Sequence, residues 1–390
     1  MREQARVLIV GPYPKEEGKI VGGVEAVTYY LSEGLAGRGD LDVRVLTSAP
    51  GLTSDQQRES MSGANVTIVP LSARFGCLTG FAVDRCRISR AMRRIEPDLV
   101  HVHTQTMYPF AALERGYPSV LTPHGVFFKE VELVKGFVRR LQTRLGCLYE
   151  RNAFRRARHI ILLNRYLANT FGHLLGHARM HFIDNPIDDR FFDLPDETEP
   201  GEILFIGMIL ERKGLVHLVD AASILKARGA EFAVKVVGPV CDHQYLARVK
   251  SRVAECGLED RFDFAGMVTE EEVAQRYSRC SMLVLPSFEE TAPMAISQAQ
   301  AAGKPVVATS VGGIPEMIEE GVTGHTVPFG DPQALAEAIG RLLADPDRAK
   351  SMGRTAKTAA ESRYRRSAVI EKTLAVYDEV LADAGRKLSF

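Results

Sequence analysis

The sequence predicts an α/β protein made of two Rossmann-like domains, each a doubly wound parallel sheet. Three observations predict it. Short, continuously apolar runs alternate with helical stretches. That series stops near residue 188 and restarts at 203. The informative polar residues stand just after the apolar runs, where doubly wound sheets bind ligands. A length of 390 residues, more than one core usually supports, points the same way.

The first strand is Arg6 to Val10, closed by Gly11-Pro12. A run apolar throughout its centre suits a parallel strand covered on both faces. Glu25 to Ala36 reads as a helix, with Val24, Val27, Leu31 and Leu35 at helical spacing. Strands follow at Val43 to Thr47, Val66 to Pro70, Leu99 to His103, Ser119 to Thr122 and Ile160 to Leu163. The Pro- and acid-rich stretch Phe191 to Gly201 reads as a linker.

Ile203 to Gly207 is a fresh first strand, followed by a helix over about 214–228, the strand Phe232 to Gly238 and a helix over about 243–256. Further strands are Phe262 to Gly266, Ser281 to Pro286, Pro305 to Thr309 and Gly324 to Val327. A long helical pattern from about Ser367 to Ala384 closes the chain, with Val369, Leu374, Val376, Tyr377 and Leu381 apolar. The expected domains are therefore 1–188 and 189–366, with a terminal helix in 367–390.

Composition narrows the class of function. Basic and acidic residues balance at 49 each, against a protein whose whole surface binds nucleic acid. An apolar content of 45% is too high for a disordered chain. The six cysteines are scattered without a CxxC pair, so neither a disulfide framework nor a zinc knuckle is expected. No signal peptide or membrane span is read, and the expectation is a cytoplasmic protein.

Five places could carry chemistry. Gly22-Gly23 precede a helix, where paired glycines let a phosphate approach the helix N-terminus or simply make a tight turn. His101 and His103 alternate at a strand end and share a side, and His124 follows another strand in Pro123-His124-Gly125. Three histidines can bind zinc, but no carboxylate or cysteine is grouped with them, and hydrogen bonding is the favoured reading.

Lys213, with Arg212, is placed on an exposed loop at the start of a helix, where the dipole does not favour cations. A diphosphate lying between would resolve that conflict. Pro286 to Pro305 is the richest segment: a strand end, two carboxylates (Glu289, Glu290), and Pro293 in the first turn of a helix. The amides of Met294 and Ala295 are an anion seat, Gln298 suits a ribose, and Glu290 suits sugar hydroxyls. Between Lys129 and Arg158 lie nine Lys/Arg against three acids, along a stripe of Leu133, Phe137, Leu141, Leu145 and Leu148. That stripe reads either as a packed apolar face or as a helix resting on anionic lipid.

The run Pro286-Ser287-x-x-Glu290, then Gln298, then Ala301-Ala302-Gly303-x-Pro305-Val306-Val307-Ala308-Thr309, resembles the hallmark of family 4 retaining nucleotide-sugar glycosyltransferases. Val311-Gly312-Gly313-Ile314-Pro315-Glu316, Gly321-Val322-Thr323-Gly324, Gly22-Gly23, His124-Gly125, Asn185-Pro186-Ile187-Asp188, Gly207 and Lys213-Gly214 continue the resemblance in order. The resemblance implies a GT-B fold: two Rossmann-like domains facing a deep cleft, with the final helix packing back on the first. It also implies a nucleoside-diphosphate sugar donor, with UDP favoured and GDP open, a glycan, lipid-linked or small-molecule acceptor, and no cofactor or divalent metal.

By the same resemblance Glu290 contacts the donor hexose, and the Met294 and Ala295 amides meet its phosphates. Lys213 compensates the leaving diphosphate, which the Gly22-Gly23 loop faces. His124 lies near the transferred sugar, and Gly266-Met267-Val268 lines the nucleobase. Three positions depart from the pattern: Gln298 replaces a glutamate, Met208 an arginine, and Thr291-Ala292-Pro293 a glycine-rich entry. Catalytic candidates are therefore His124, Lys213 and Glu290. The donor-binding set is Gly22, Gly23, Arg212, Lys213, Gly266, Val268, Glu290, Met294, Ala295 and Gln298. A nucleotide-sugar 2-epimerase and a non-catalytic nucleotide-sugar-binding protein are the rival readings.

Overall fold

The computed structural model describes residues 4–16, 20, 22–71, 82–103, 108–114, 116–126 and 137–386. The chain divides into two compact units, Met1–Pro186 with Arg366–Phe390, and Ile187–Arg365.

Among the described residues, unit 1 is built on eight strands: β1 (Ala5–Val10), β2 (Leu41–Ala49), β3 (Gln56–Glu59), β4 (Asn65–Pro70), β5 (Leu99–Val102), β6 (Ser119–Leu121), β7 (His159–Leu162) and β8 (Arg179–Phe182). Their order is β3-β4-β2-β1-β5-β6-β7-β8. The helices between them are α1 (Gly23–Ala36), α2 (Ala82–Ile95), α3 (Tyr108–Glu114), α4 (Phe137–Arg156) and α5 (Arg165–Leu175). Val7, Leu8, Ile9 and Val10 of β1 are fully buried, so both faces of that strand are covered, as a continuous apolar run requires. Each such side chain contributes about 1.5–3 kcal/mol by leaving water.

The sheet is not wholly parallel, contrary to the sequence reading. β3 pairs antiparallel with β4, because the short turn through Gly63 is enough for a hairpin and too short for a parallel crossover. Its sequence, QQRE, gives the sheet a polar edge.

Unit 2 carries six parallel strands among its described residues: β9 (Glu202–Ile206), β10 (Ala233–Val237), β11 (Phe262–Gly266), β12 (Met282–Leu285), β13 (Val306–Thr309) and β14 (Gly324–Val327). Their order is β11-β10-β9-β12-β13-β14. Helices α6 (Leu215–Ala227), α7 (His243–Glu255), α8 (Glu270–Arg279), α9 (Met294–Ala301), α10 (Pro332–Ala344) and α11 (Pro346–Tyr364) cover it.

The predicted linker is instead part of unit 2. Asp189–Phe192 makes a 3-10 turn, capped by the Asp188 carboxylate accepting from the Arg190 amide at 2.9 Å. Ile187, Phe191 and Phe192 are buried in the core with Leu204, Tyr277 and Leu285. Lys304, itself buried, donates to the Ser278 carbonyl at 2.8 Å and lies 3.3 Å from Asp196. Of the acids in that segment, Asp196 is therefore the partner of a buried lysine, and Glu199 pairs with Arg279.

The last helix, α12 (Arg366–Asp383), belongs to unit 1. Its Val369, Leu374, Val376, Tyr377 and Leu381 are buried in one cluster with Ile9, Leu31 and Leu35. The described leucines of the α4 stripe do not form a packed apolar face. Leu141 and Leu148 are exposed, while Cys147, Glu150, Ala153 and Phe154 are buried among the described side chains of that helix. Residues 127–136, including Lys129, Leu133 and Lys135, lie outside the described residues. No helix among the described residues is long and apolar enough to cross a membrane.

Both sheets reverse their winding direction once, between β1 and β5 in unit 1 and between β9 and β12 in unit 2. Open parallel sheets bind ligands outside the carboxyl ends of strands at such switch points.

Candidate active site

At the switch point of unit 2, the segments leaving β9 and β12 meet. The first runs from Gly207 through a 3-10 turn, Glu211–Lys213, to Gly214 and α6. Gly214 adopts φ +67°, and a Cβ there would lie 2.0 Å from the Pro286 carbonyl oxygen at the end of β12. Only glycine allows both the turn and that approach. The Phe288 amide then donates to the Arg212 carbonyl at 2.7 Å, which fastens the two segments together.

This closeness brings Lys213 and Glu290 into contact. Lys213 Nζ donates to Glu290 Oε1 at 2.5 Å, Ser287 Oγ donates to the same oxygen at 2.8 Å, and Arg212 Nη1 lies 3.5 Å from Oε2. Arg212 also donates to the Glu289 carbonyl at 2.6 Å. Burial by itself would raise the Glu290 carboxyl. The Lys213 and Arg212 cations, with the hydrogen bonds from Lys213 and Ser287, outweigh it and hold that carboxyl below its ordinary value.

Here the sequence reading of Lys213 is corrected: the residue is 8% exposed rather than on an open loop, and it precedes α6 in a separate turn. The conflict between a cation and the helix dipole is answered by Glu290, whose carboxylate lies against the ammonium. The Glu290 carbonyl is fixed as well. It accepts from the Gly313 amide at 3.0 Å, and a Cβ at Gly312, φ +55°, would lie 1.8 Å from it. Thr309 Oγ1 donates to the Ser287 carbonyl at 2.5 Å, tying the loop to β13.

α9 starts at Met294, with Pro293 as its cap rather than inside its first turn. Proline has no side chain able to accept a hydrogen bond, so no side-chain cap covers this end. The half-buried Met294 and Ala295 contribute first-turn amides ahead of the helix's own ladder, a favourable place for an anion. One turn on, Gln298 Oε1 accepts from the Tyr277 hydroxyl at 3.2 Å, and the same hydroxyl lies 3.1 Å from the Ala295 carbonyl. Tyr277 on α8 is wholly buried, and burial holds its phenol well above the ordinary value. It is therefore a neutral donor whose one proton is shared between Gln298 Oε1 and the Ala295 carbonyl, and it packs beneath Gln298.

Gly266 closes β11 at φ +70° with open space where a Cβ would sit, and Met267 beside it is 69% exposed. Val268 is half-buried against the core. Met208, in the segment leaving β9, is half-buried.

In unit 1, Gly22 is the cap of α1 and Gly23 its first residue. No described atom lies within 4 Å of a Cβ built on Gly22, so packing does not demand glycine there. At the switch point, β5 ends at Val102 and His103 follows it, with the His101 and His103 ring centroids 4.0 Å apart. His124 lies across from His103, Nε2 to Nδ1 at 3.0 Å. Burial pushes His124 down to about 4 and His101, with the His124 charge adding, to about 3; His103 is also well below its ordinary value. All three are neutral at pH 7. No group of three or more His, Cys, Asp or Glu among the described residues is arranged to hold a metal ion.

The structure thus gathers Arg212, Lys213, Glu290, Met294, Ala295 and Gln298 on the segments after β9 and β12, and gathers the three histidines in unit 1. Sequence reasoning missed Tyr277, which sits on an ordinary amphipathic helix and carries no motif. It also left Ser287 without a role, although Ser287 stands in the motif that identified Glu290.

Residues 186–359 match the family model described as "Glycosyl transferases group 1", and residues 21–191 match "Glycosyltransferase Family 4". The alpha-D-kanosaminyltransferase of Streptomyces kanamyceticus is 26% identical over 383 residues, covering 90% of this chain and 98% of that protein. The 2-deoxystreptamine N-acetyl-D-glucosaminyltransferase of Streptomyces fradiae is 29% identical over 361 residues, 84% of each chain. Among solved structures, a sucrose-phosphate synthase from Thermosynechococcus elongatus aligns with a TM-score of 0.83 at 21% identity, over 97% of this chain and 100% of the other. Anabaena HepE in complex with UDP and glucose aligns with a TM-score of 0.72 at 19% identity, over 95% of this chain and 98% of the other. The fold is GT-B.

Proposed function

The chain belongs to the family 4 glycosyltransferases, and from that premise we propose that it transfers a hexosyl or N-acetylhexosaminyl unit from a nucleoside-diphosphate sugar, with UDP favoured, to an acceptor hydroxyl with retention at the anomeric carbon. The observation that carries the proposal is the buried Lys213–Glu290 pair beside Arg212 and the uncapped start of α9. Two cations after β9 and a helix N-terminus after β12 are the groups that would compensate a diphosphate as its charge grows. The reading therefore needs no divalent metal. Toward the same donor, Gln298 addresses the ribose, and the Gly266 to Val268 backbone addresses the base.

Glu290 is assigned to hold hydroxyls of the donor hexose rather than to attack its anomeric carbon. A carboxylate already bonded to Lys213 and Ser287 is a poor nucleophile, since its charge is stabilised before reaction. In the proposed step, the bond from the anomeric carbon to the phosphate oxygen breaks and the acceptor oxygen bonds to the same face. The acceptor's proton passes to the departing phosphate. In unit 1, His124 is assigned a hydrogen bond to a sugar hydroxyl, and the Gly22-Gly23 turn a backbone that a phosphate can approach.

The name of the 2-deoxystreptamine N-acetyl-D-glucosaminyltransferase of Streptomyces fradiae supports a small-molecule acceptor such as an aminocyclitol, beside the glycan and lipid-linked acceptors. Purified protein is to be incubated with UDP- and GDP-sugars, 2-deoxystreptamine and a cell extract, and products read by mass spectrometry and proton NMR. An α-linked product from an α-linked donor, with nucleotide release, is expected. A product of inverted configuration would refute retention, and isomerisation of the donor at C2 would replace transfer by epimerisation.

A further inference from the structure

His101 in β5 and His103 just after it each hold one residue of the segment after β6. His101 has both nitrogens engaged: Nδ1 lies 2.7 Å from the Tyr377 hydroxyl of α12 and Nε2 lies 2.7 Å from Thr122 Oγ1. His103 engages His124 through Nδ1 at 3.0 Å. The spacing is the same on both sides, 101 with 103 and 122 with 124, so two parallel links fix the turn that carries His124. The His101 ring lies tilted against His103, and His103 and His124 are stacked at 5.3 Å. These contacts leave the His103 ring little freedom to rotate.

The His103–His124 link has a direction. A neutral imidazole has one N–H, and one of these two rings must donate while the other accepts. His103 Nε2 is buried and meets no hydrogen-bond partner among the described residues. The cavity that His103 lines holds about 20 Å³, and its wall combines the apolar Val27 and Val369 with Thr122, Thr373, Asp184 and Asn185, none of which is hydrogen-bonded to Nε2. A proton on Nε2 would be a buried orphan donor, which native structures rarely contain, whereas an unpaired lone pair is better tolerated. A proton on Nδ1 is used in the bond to His124.

We propose that His103 is a positioning residue: it donates its Nδ1–H to Nε2 of His124 and so fixes His124 as the tautomer protonated on Nδ1. His124 then has its own N–H on the ring atom turned away from His103, and it meets a sugar hydroxyl as a hydrogen-bond donor. The use of that donor rests on the role of His124 under the proposed function; the tautomer itself does not.

Nitrogen NMR of protein labelled at histidine, recorded at neutral pH and assigned with single variants, reads the tautomers directly. Protonated Nδ1 on both His103 and His124 is expected, and a proton on Nε2 of either ring overturns the inference. Activity provides a second test. His103→Asn places an amide where Nδ1 stood and retains turnover, whereas His103→Leu removes the donor at similar bulk and lowers kcat about 10–100-fold with little change in donor KM. Equal activity of the two, at wild-type melting temperature, overturns the positioning role. If the variants do not fold, the wild-type spectrum decides. Unchanged activity in His124→Ala, with the predicted tautomers observed, would refute the role given to His124 and leave the tautomer assignment standing.

Discussion

Replacing Lys213 with alanine removes the cation that lies 2.5 Å from Glu290 and leaves a carboxylate only 5% exposed. Breaking one side of a buried ion pair typically costs about 3–5 kcal/mol, because the remaining charge is uncompensated. Ser287 still donates at 2.8 Å and Arg212 still stands 3.5 Å away, so the lower end, about 3 kcal/mol, applies. For a unit of this size that is a fall in melting temperature of about 6–12 °C. Loss of a charge-assisted stabiliser of the leaving group also lowers turnover by about 100-fold or more.

The pH dependence separates the pair from simple loss of packing. The folded Glu290 carboxyl lies below its unfolded value, so its contribution is fully present above about pH 4.5 and is lost as pH falls through the folded value. Without Lys213 the folded value rises, and the stability gap between wild type and variant narrows as pH falls from about 6 to 4. Urea unfolding across that range measures it, and Lys213→Ala/Glu290→Gln recovers part of the lost stability without recovering activity. A gap that is constant with pH, or a single variant as active as wild type, refutes the reasoning.

Gln298→Glu should tighten UDP by about 1 kcal/mol, roughly fivefold, because a carboxylate still accepts from Tyr277 and offers the ribose hydroxyls a charged acceptor in place of a neutral amide. Gln298→Ala should weaken it, and titration calorimetry in which both variants match wild type removes Gln298 from the ribose site. Gly214→Ala should destabilise unit 2 by at least 1–2 kcal/mol, roughly the cost of a left-handed alanine before any clash with Pro286 is added, and an unchanged melting temperature would contradict that contact. Transfer should survive EDTA, since Lys213, Arg212 and the α9 amides supply the compensation; dependence on added Mn²⁺ or Mg²⁺ would transfer that role to a metal.

What the sequence determines by itself is local and periodic. The fully apolar runs at Val7 to Val10 and Ile203 to Phe205 specify central parallel strands, because only a strand covered on both faces can be apolar at every position. Their repetition after residue 200 specifies two sheets, and Glu290, Gln298 and the glycines 207, 214 and 312 are legible as a motif. Tertiary structure decides which distant charges meet. Nothing local marks Lys213 as buried: its partner lies 77 residues on, and the contact depends on the sheet order that sets β9 beside β12. The Pro- and acid-rich segment after Asp188 follows the same rule, since its turn is held by aromatic burial and its Asp196 by Lys304, more than a hundred residues away. Tyr277 beneath Gln298 and His103 behind His124 are likewise long-range hydrogen bonds. Periodicity is a property of neighbours along the chain, whereas pairing of buried polar groups is settled by which strands become neighbours in space.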